Sequence, residues 1–267
     1  MGRRDFLPAS RYGAISRGKY KTELAYRKEL IDVHHAAQEY PDNLTIQKKL
    51  KAIQDRWSKS LELIFYVDAR EKIPYTTEEV GHECRIMPTH KQCGHYSVGD
   101  MVCYLPEHGC VTGVAWDRKG GERPNPHTYH LDRTGRKVYL DRINYLAADW
   151  YNTTMGVHDI KGDGNKVIKE DNLDRFFREC ERAKTEGFDV MIVGVESTFK
   201  QFLSFRPNGD AGATPQSRAA RSRSVRYHTG YFAHVEFYGS RKAAIAGMIQ
   251  ENRWWCKSHY EKIINYR

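Results

Sequence analysis

This sequence of 267 residues has no long apolar run. None approaches the ~18 residues a membrane helix needs, so no membrane partner is expected. Met1 to Ser10 carry charge but no apolar stretch of the secretory kind. The six cysteines (Cys84, Cys93, Cys103, Cys110, Cys180 and Cys256) include no C-x-x-C pair. Without a secretory leader they read as reduced thiols, which predicts a cytoplasmic protein. The chain also lacks a G-x-x-x-x-G-K-[ST] phosphate loop, a G-x-G-x-x-G turn, a G-x-S-x-G elbow and an H-E-x-x-H pair, so the commonest enzyme signatures are absent. Aromatics are plentiful, at 12 % with 17 Tyr and 5 Trp, and a disordered chain is poor in these.

Charge is unevenly placed. The net value is +9. Arg3, Arg4, Arg11, Arg17, Lys19, Lys21, Arg27 and Lys28 face only Asp5 and Glu23 in the first 28 residues. Arg206, Arg218, Arg221, Arg223 and Arg226 face only Asp210 between 206 and 227. The rest of the chain is close to neutral. Localised positive charge is the footprint of a surface that meets phosphates.

Residues 1–19, with four Gly or Pro among Arg, Ser and Tyr, read as an extended basic arm. Residues 20–72 read as a helical hairpin. A helix over 20–40 stops at Pro41, and Asp42 or Asn43 caps the next. There Ile46, Leu50, Ile53, Trp57, Leu61 and Ile64 recur every three or four residues, which is one helical stripe. Residues 73–150 hold several short strands with turn signals between them. From 151 to 267 the pattern is α/β: a helix capped by Asp171 and ended at Gly187, an apolar strand over 189–195, a second strand over 200–205, and a strand over 231–238. Ser240 then caps a long final helix. The Pro-, Gly-, Ala-, Ser- and Arg-rich segment 207–226 reads as a mobile basic loop.

The stretches "VGDMVCYL", "GCVTGVAWD" and "HTYHLDRTGRKVYLDRINYL" between 96 and 148 resemble a small SH3-like barrel of the Tudor or KOW kind. The resemblance covers about a fifth of the chain. It implies a barrel of a group whose members often bind nucleic acid, peptides or modified side chains. The expected fold class is therefore α+β: a helical hairpin, a central small barrel and an α/β part.

Several constellations have the residue types that chemistry needs. His82, Cys84, Cys93 and His95 form two pairs with strand spacing, fit to close a tetrahedral zinc shell. Asp159, Asp163, Gly164 and Glu170 fit positions of a calcium loop, although Lys161 stands where an oxygen ligand is needed. His34, His35 and Asn43 resemble half of an HNH nuclease motif. Restriction-type nucleases need an Asp and then Glu-x-Lys to hold magnesium. Asp189, Glu196 and Lys200 meet this in part, since Ser197-Thr198 follows Glu196. Arg218, Arg221, Arg223 and Arg226, with Tyr227, suit phosphates and stacked bases.

The expectation is a non-catalytic binder of DNA or RNA, with Arg3, Arg4, Arg11, Arg17, Lys19 and the 218–227 group as its contacts. A protein-binding inhibitor or adaptor of the kind viral host-directed factors supply, with an acidic protein partner, is the second reading. A metal-dependent nuclease is the third.

Overall fold

The computed structural model describes residues 17–264 except 69–70, 72–73, 87–98, 121, 125–128, 132–136, 140–141, 145–146, 162–166 and 206–212. The described residues open with a helical hairpin, α1 (Arg17–Glu39) and α2 (Leu44–Ser60). Asn43 caps α2, its side-chain oxygen accepting from the Thr45 and Ile46 amides at 3.1 and 3.2 Å. Ile53 and Trp57 bury the expected stripe, but the helix ends at Ser60. Ile64 already belongs to strand β1 (Ile64–Val67).

A six-stranded mixed sheet forms the centre. After β1 come the short helix α3 (Thr77–Val80) and strands β2 (Glu83–Ile86), β3 (Met101–Leu105) and β4 (Cys110–Lys119). Two strands near the C-terminus, Val190–Val195 and Ala233–Phe237, complete the sheet. The order is 233–237, 190–195, β4, β3, β1, β2. The strands β1, β3 and β4 run antiparallel in turn, while β4, 190–195 and 233–237 are parallel.

This sheet is open, so among the described residues the expected barrel over 96–148 is not shown. β3 and β4 do pair as a hairpin, but as central strands. Nine successive residues of β4 are buried, because helices cover both faces. The short strands β5 (Glu122–Pro124), β6 (Tyr129–Leu131), β7 (Lys137–Tyr139) and β8 (Arg142–Asn144) instead pair as two separate ladders, β5 with β8 and β6 with β7.

One face of the sheet packs Trp116, Val114 and Phe65 against α1, α2 and the helix Arg241–Ser258. The other packs Ala115, Met191 and Val193 against α4 (Ala148–Met155), α5 (Asn172–Thr185), α6 (Phe199–Ser204) and α7 (Pro215–His228). Strands β9 (Val157–Lys161) and β10 (Val167–Asp171) form a hairpin before α5. The 190–195 and 233–237 strands are β11 and β12, and helices α8 (Arg241–Ser258) and α9 (Tyr260–Ile264) end the described chain. No described helix is long and apolar enough to cross a membrane.

Two further segments differ from the sequence reading. Residues 199–204 are helical, because Thr198 and Gln201 make a reciprocal capping box. The expected basic loop is helical from Pro215, with Thr214 as its cap and proline in its first turn.

Candidate active site

The β3–β4 hairpin brings together three chemically active side chains. Met101 pairs with Trp116, so Asp100, just before β3, lies across from Asp117. Gly99 makes this approach feasible: its φ is +69°, and a Cβ there would sit 2.8 Å from the Trp116 carbonyl oxygen. The Asp100 amide donates to that carbonyl at 2.8 Å, and the Arg118 amide donates to Asp100 Oδ2 at 2.7 Å.

Along β4 side chains alternate between faces, so Asp117 and Lys119 share one face and Arg118 takes the other. Lys119 Nζ donates to Asp117 Oδ1 at 2.7 Å. Asp117 is only 3 % exposed; Lys119 holds its Oδ1, and the neighbouring Asp100 carboxyl, kept protonated by burial and by Asp117, hydrogen-bonds to it. Two buried carboxyls this close share a proton, or a cation takes its place.

Arg118 is the rear anchor. Its guanidinium donates to Glu71 Oε1 at 2.8 Å, Glu196 Oε1 at 3.2 Å and the Gly120 carbonyl at 3.3 Å. Tyr75 also donates to Glu196 Oε1, at 3.1 Å, and Arg241 lies 3.7 Å from it. Glu196 is fully buried and its amide donates to the Lys119 carbonyl at 2.9 Å. This charged network fixes the backbone of 117–120 from behind.

In front of the hairpin lies a cleft of about 500 Å³. Its floor is Asp100, Asp117, Lys119, Asp68 and Glu71; its wall is α5, with Arg175, Arg178, Glu179 and Arg182. Glu179 Oε1 accepts from the Gly99 amide at 3.1 Å and ties α5 to the hairpin. A smaller cavity of about 220 Å³ adjoins it, sharing Lys119, Arg175 and Glu179 and adding Asp149, Asn152 and Thr153.

The electrostatics describe a site short of positive charge. Burial, then the neighbouring Asp117, holds the Asp100 carboxyl well above its ordinary range. Burial and then Asp117 also raise Glu179. Burial works against the Lys119 ammonium, but Asp117, Asp100 and Asp149 outweigh it and hold its pKa above the usual lysine value. Lys119 is therefore a fixed cation at neutral pH.

The residues singled out from sequence fall differently. Asp189 and Glu196 flank β11 at opposite ends, roughly 20 Å apart at ~3.3 Å per residue, so they share no site. Asp189 accepts from Trp255 Nε1, Glu196 serves the rear network, and Lys200 is exposed on α6. Cys84 Sγ donates to the His82 carbonyl, and burial pushes its thiol up to about 11; Cys93 and His95 lie outside the described residues. Among the described residues no three His, Cys, Asp or Glu side chains converge as a self-sufficient metal cage. Asp159 and Glu170 sit on the paired strands of a β-hairpin, and Glu170 meets Arg178, which rules out an EF-hand pair of helices around that loop. His34 meets Tyr260, and Asn43 is a helix cap.

Within the basic 218–227 group, Arg218 is buried and donates to the Leu203 and Phe205 carbonyls. Arg221 pairs with Asp171. Arg223 and Arg226 lie over the Phe199 and Tyr231 rings, while Tyr227 is exposed. Arg3, Arg4 and Arg11 lie outside the described residues, as do the side chains of Arg17 and Lys19. The sequence reading missed Asp100, Asp117 and Lys119. Their signal was an Asp opening one strand of a hairpin and Asp-x-Lys closing the other.

No protein-family model, curated protein or solved structure matches this chain.

Proposed function

We propose that the protein is a divalent-metal-dependent nuclease whose centre is Asp100, Asp117 and Lys119. One observation carries the reading: the buried Asp100–Asp117 carboxyl pair, with a lysine ammonium on Asp117 Oδ1. The carboxylate-x-lysine arrangement sought at Glu196 occurs here, with its companion aspartate across the hairpin. Magnesium suits such a pair, because it keeps several waters and binds through one or two carboxylates plus substrate phosphates. The site also lies at the carboxyl ends of β4 and β11, where open α/β sheets place ligands.

The chemistry is hydrolysis of a phosphodiester. Asp100 and Asp117 would hold the ion, which would supply Lewis acidity toward a phosphate oxygen and an acidified water. In hydrolysis a water oxygen would bond to phosphorus as the bond to the leaving sugar oxygen breaks, the water giving up one proton to solvent and the leaving oxygen taking one from it. Lys119, held protonated by its acidic neighbours, cannot act as the base. Its role is to stabilise negative charge growing on the phosphoryl oxygens.

The nucleic-acid partner expected from sequence is retained, but with turnover in place of simple binding. The internal use of Arg218 and Arg221 removes two contacts from the non-catalytic reading. Cleavage of a mixed-sequence DNA and its RNA counterpart, with magnesium or manganese and with EDTA, is the test. Metal-dependent cutting is expected, with Asp117→Asn, Asp100→Asn and Lys119→Met each lowering it by about 10²-fold or more while retaining a cooperative melt. Absence of cutting by the parent protein, or full activity in Asp117→Asn, contradicts the reading.

A further inference from the structure

The cleft has an acidic floor and a basic wall, and the wall is one face of one helix. On α5, Leu173, Phe176, Cys180 and Ala183 are buried in the core. The opposite side carries Arg175, Arg178 and Arg182, all exposed and all lining the cleft that holds Asp100, Asp117 and Lys119. The periodicity that buries one side therefore places three guanidinium groups in a row over the carboxylate pair. Glu170 engages Arg178, and Arg175 extends the row into the adjoining cavity past Lys119.

A polyanion entering this cleft finds cations at Lys119 and along this row, opposite an acidic floor. From Arg175 to Arg182 the helix rises about 10 Å at ~1.5 Å per residue. Phosphates of one strand advance about 3.4 Å each along a duplex axis, so the two ends of the row lie about three such steps apart. Guanidinium groups fork onto phosphate oxygens in the required geometry.

We propose that this face of α5 is a phosphate rail: Arg175 and Arg182, at its two ends, grip two phosphates of one strand, on one side of the phosphate being cut. The proposal rests on the nuclease reading and deepens it. It assigns the substrate as an internal stretch of polynucleotide and excludes a mononucleotide, a terminal phosphate alone or an acidic protein segment.

The probes are end-labelled 20-nucleotide DNA strands, single and duplex, each with one charge-neutral methylphosphonate at a defined position. The proteins are the parent chain and an Arg175→Ala, Arg182→Ala double variant, which leaves the Arg178–Glu170 pair intact. In the parent, neutral linkages at two positions on one side of the cut slow cleavage. In the double variant those positions lose their effect, and most of the fall in kcat/KM is carried by KM. Binding to the unmodified 20-mer, measured on the Asp117→Asn background with and without the two arginine changes, weakens about 10-fold, and its salt slope falls by about 1.5, near 0.7–0.9 for each lost phosphate contact. Lysine at 175 and 182 restores part of the affinity.

If the parent cuts but methylphosphonate effects survive in the double variant, the rail is overturned and the nuclease reading stands. If nothing is cut, the nuclease reading fails. In that case unchanged affinity and salt slope in the arginine variants, or stronger capture of a poly-glutamate peptide than of the 20-mer, overturn the rail as well.

Discussion

Asp100 and Asp117 face each other across the hairpin at a cost to the fold. Asp100 is raised by burial and by Asp117, so the folded chain holds a proton that the unfolded chain releases near pH 4. That contribution is fully present below the unfolded value and is lost as pH rises through the folded one, so the metal-free protein loses stability in this window. Asp100→Asn removes the charge and keeps an oxygen for the Arg118 amide. In EDTA its melting temperature should exceed the parent's at pH 8 and converge with it near pH 4, while cleavage is lost. A variant less stable than the parent at both pH values would show that Asp100 carries no such strain. Arg118 behaves in the opposite way. It is 4 % exposed at the side chain and joins Glu71 and Glu196. Arg118→Met leaves both carboxylates facing each other in the interior and should cost about 3–5 kcal/mol in a denaturant titration; a loss under about 1 kcal/mol, the range of an exposed pair, would contradict the network.

At the scale of elements, α5 links stability to function. Asp171 caps it by accepting from the Leu173 amide at 2.8 Å and also holds Arg221. Asp171→Ala should cost about 1 kcal/mol from the cap and loosen the wall of the cleft, read as a higher KM for the 20-mer. An unchanged melt would mean that the cap is redundant. The amphipathic face of α5, the cap at Asn43 and the β11 and β12 strands were legible because periodicity and capping chemistry are local. The helix at 199–204 was missed although Thr198-x-x-Gln201 spells a capping box, because its apolar run also suits a strand. Pro215–His228 was missed because Arg, Ser and Ala carry no strong apolar period, and the helix is held instead by Val225 and by a buried Arg218.

At the scale of the molecule, sequence alone misplaced β3 and β4. Their turn signals are those of any small β-structure, and only the long-range partner β11 makes them the centre of an open sheet. The same pairing decides the site. Asp100 and Asp-x-Lys119 are separated by a hairpin, so their meeting is a matter of register. Asp189 and Glu196, close in sequence, are held apart by the strand between them. A cation that binds the folded chain alone stabilises it by mass action. Manganese should therefore raise the parent's melting temperature, and should leave that of the Asp117→Asn variant nearly unmoved.

The most direct measurement is a manganese titration of the nucleic-acid-free protein, followed by electron paramagnetic resonance of the unbound ion. The parent should take up manganese at a saturable site, more weakly as pH falls because Asp100 must release its proton, and Asp117→Asn should weaken that uptake at least 10-fold. Equal uptake by parent and variant, or none by the parent at millimolar manganese, would contradict a metal centre at Asp100 and Asp117.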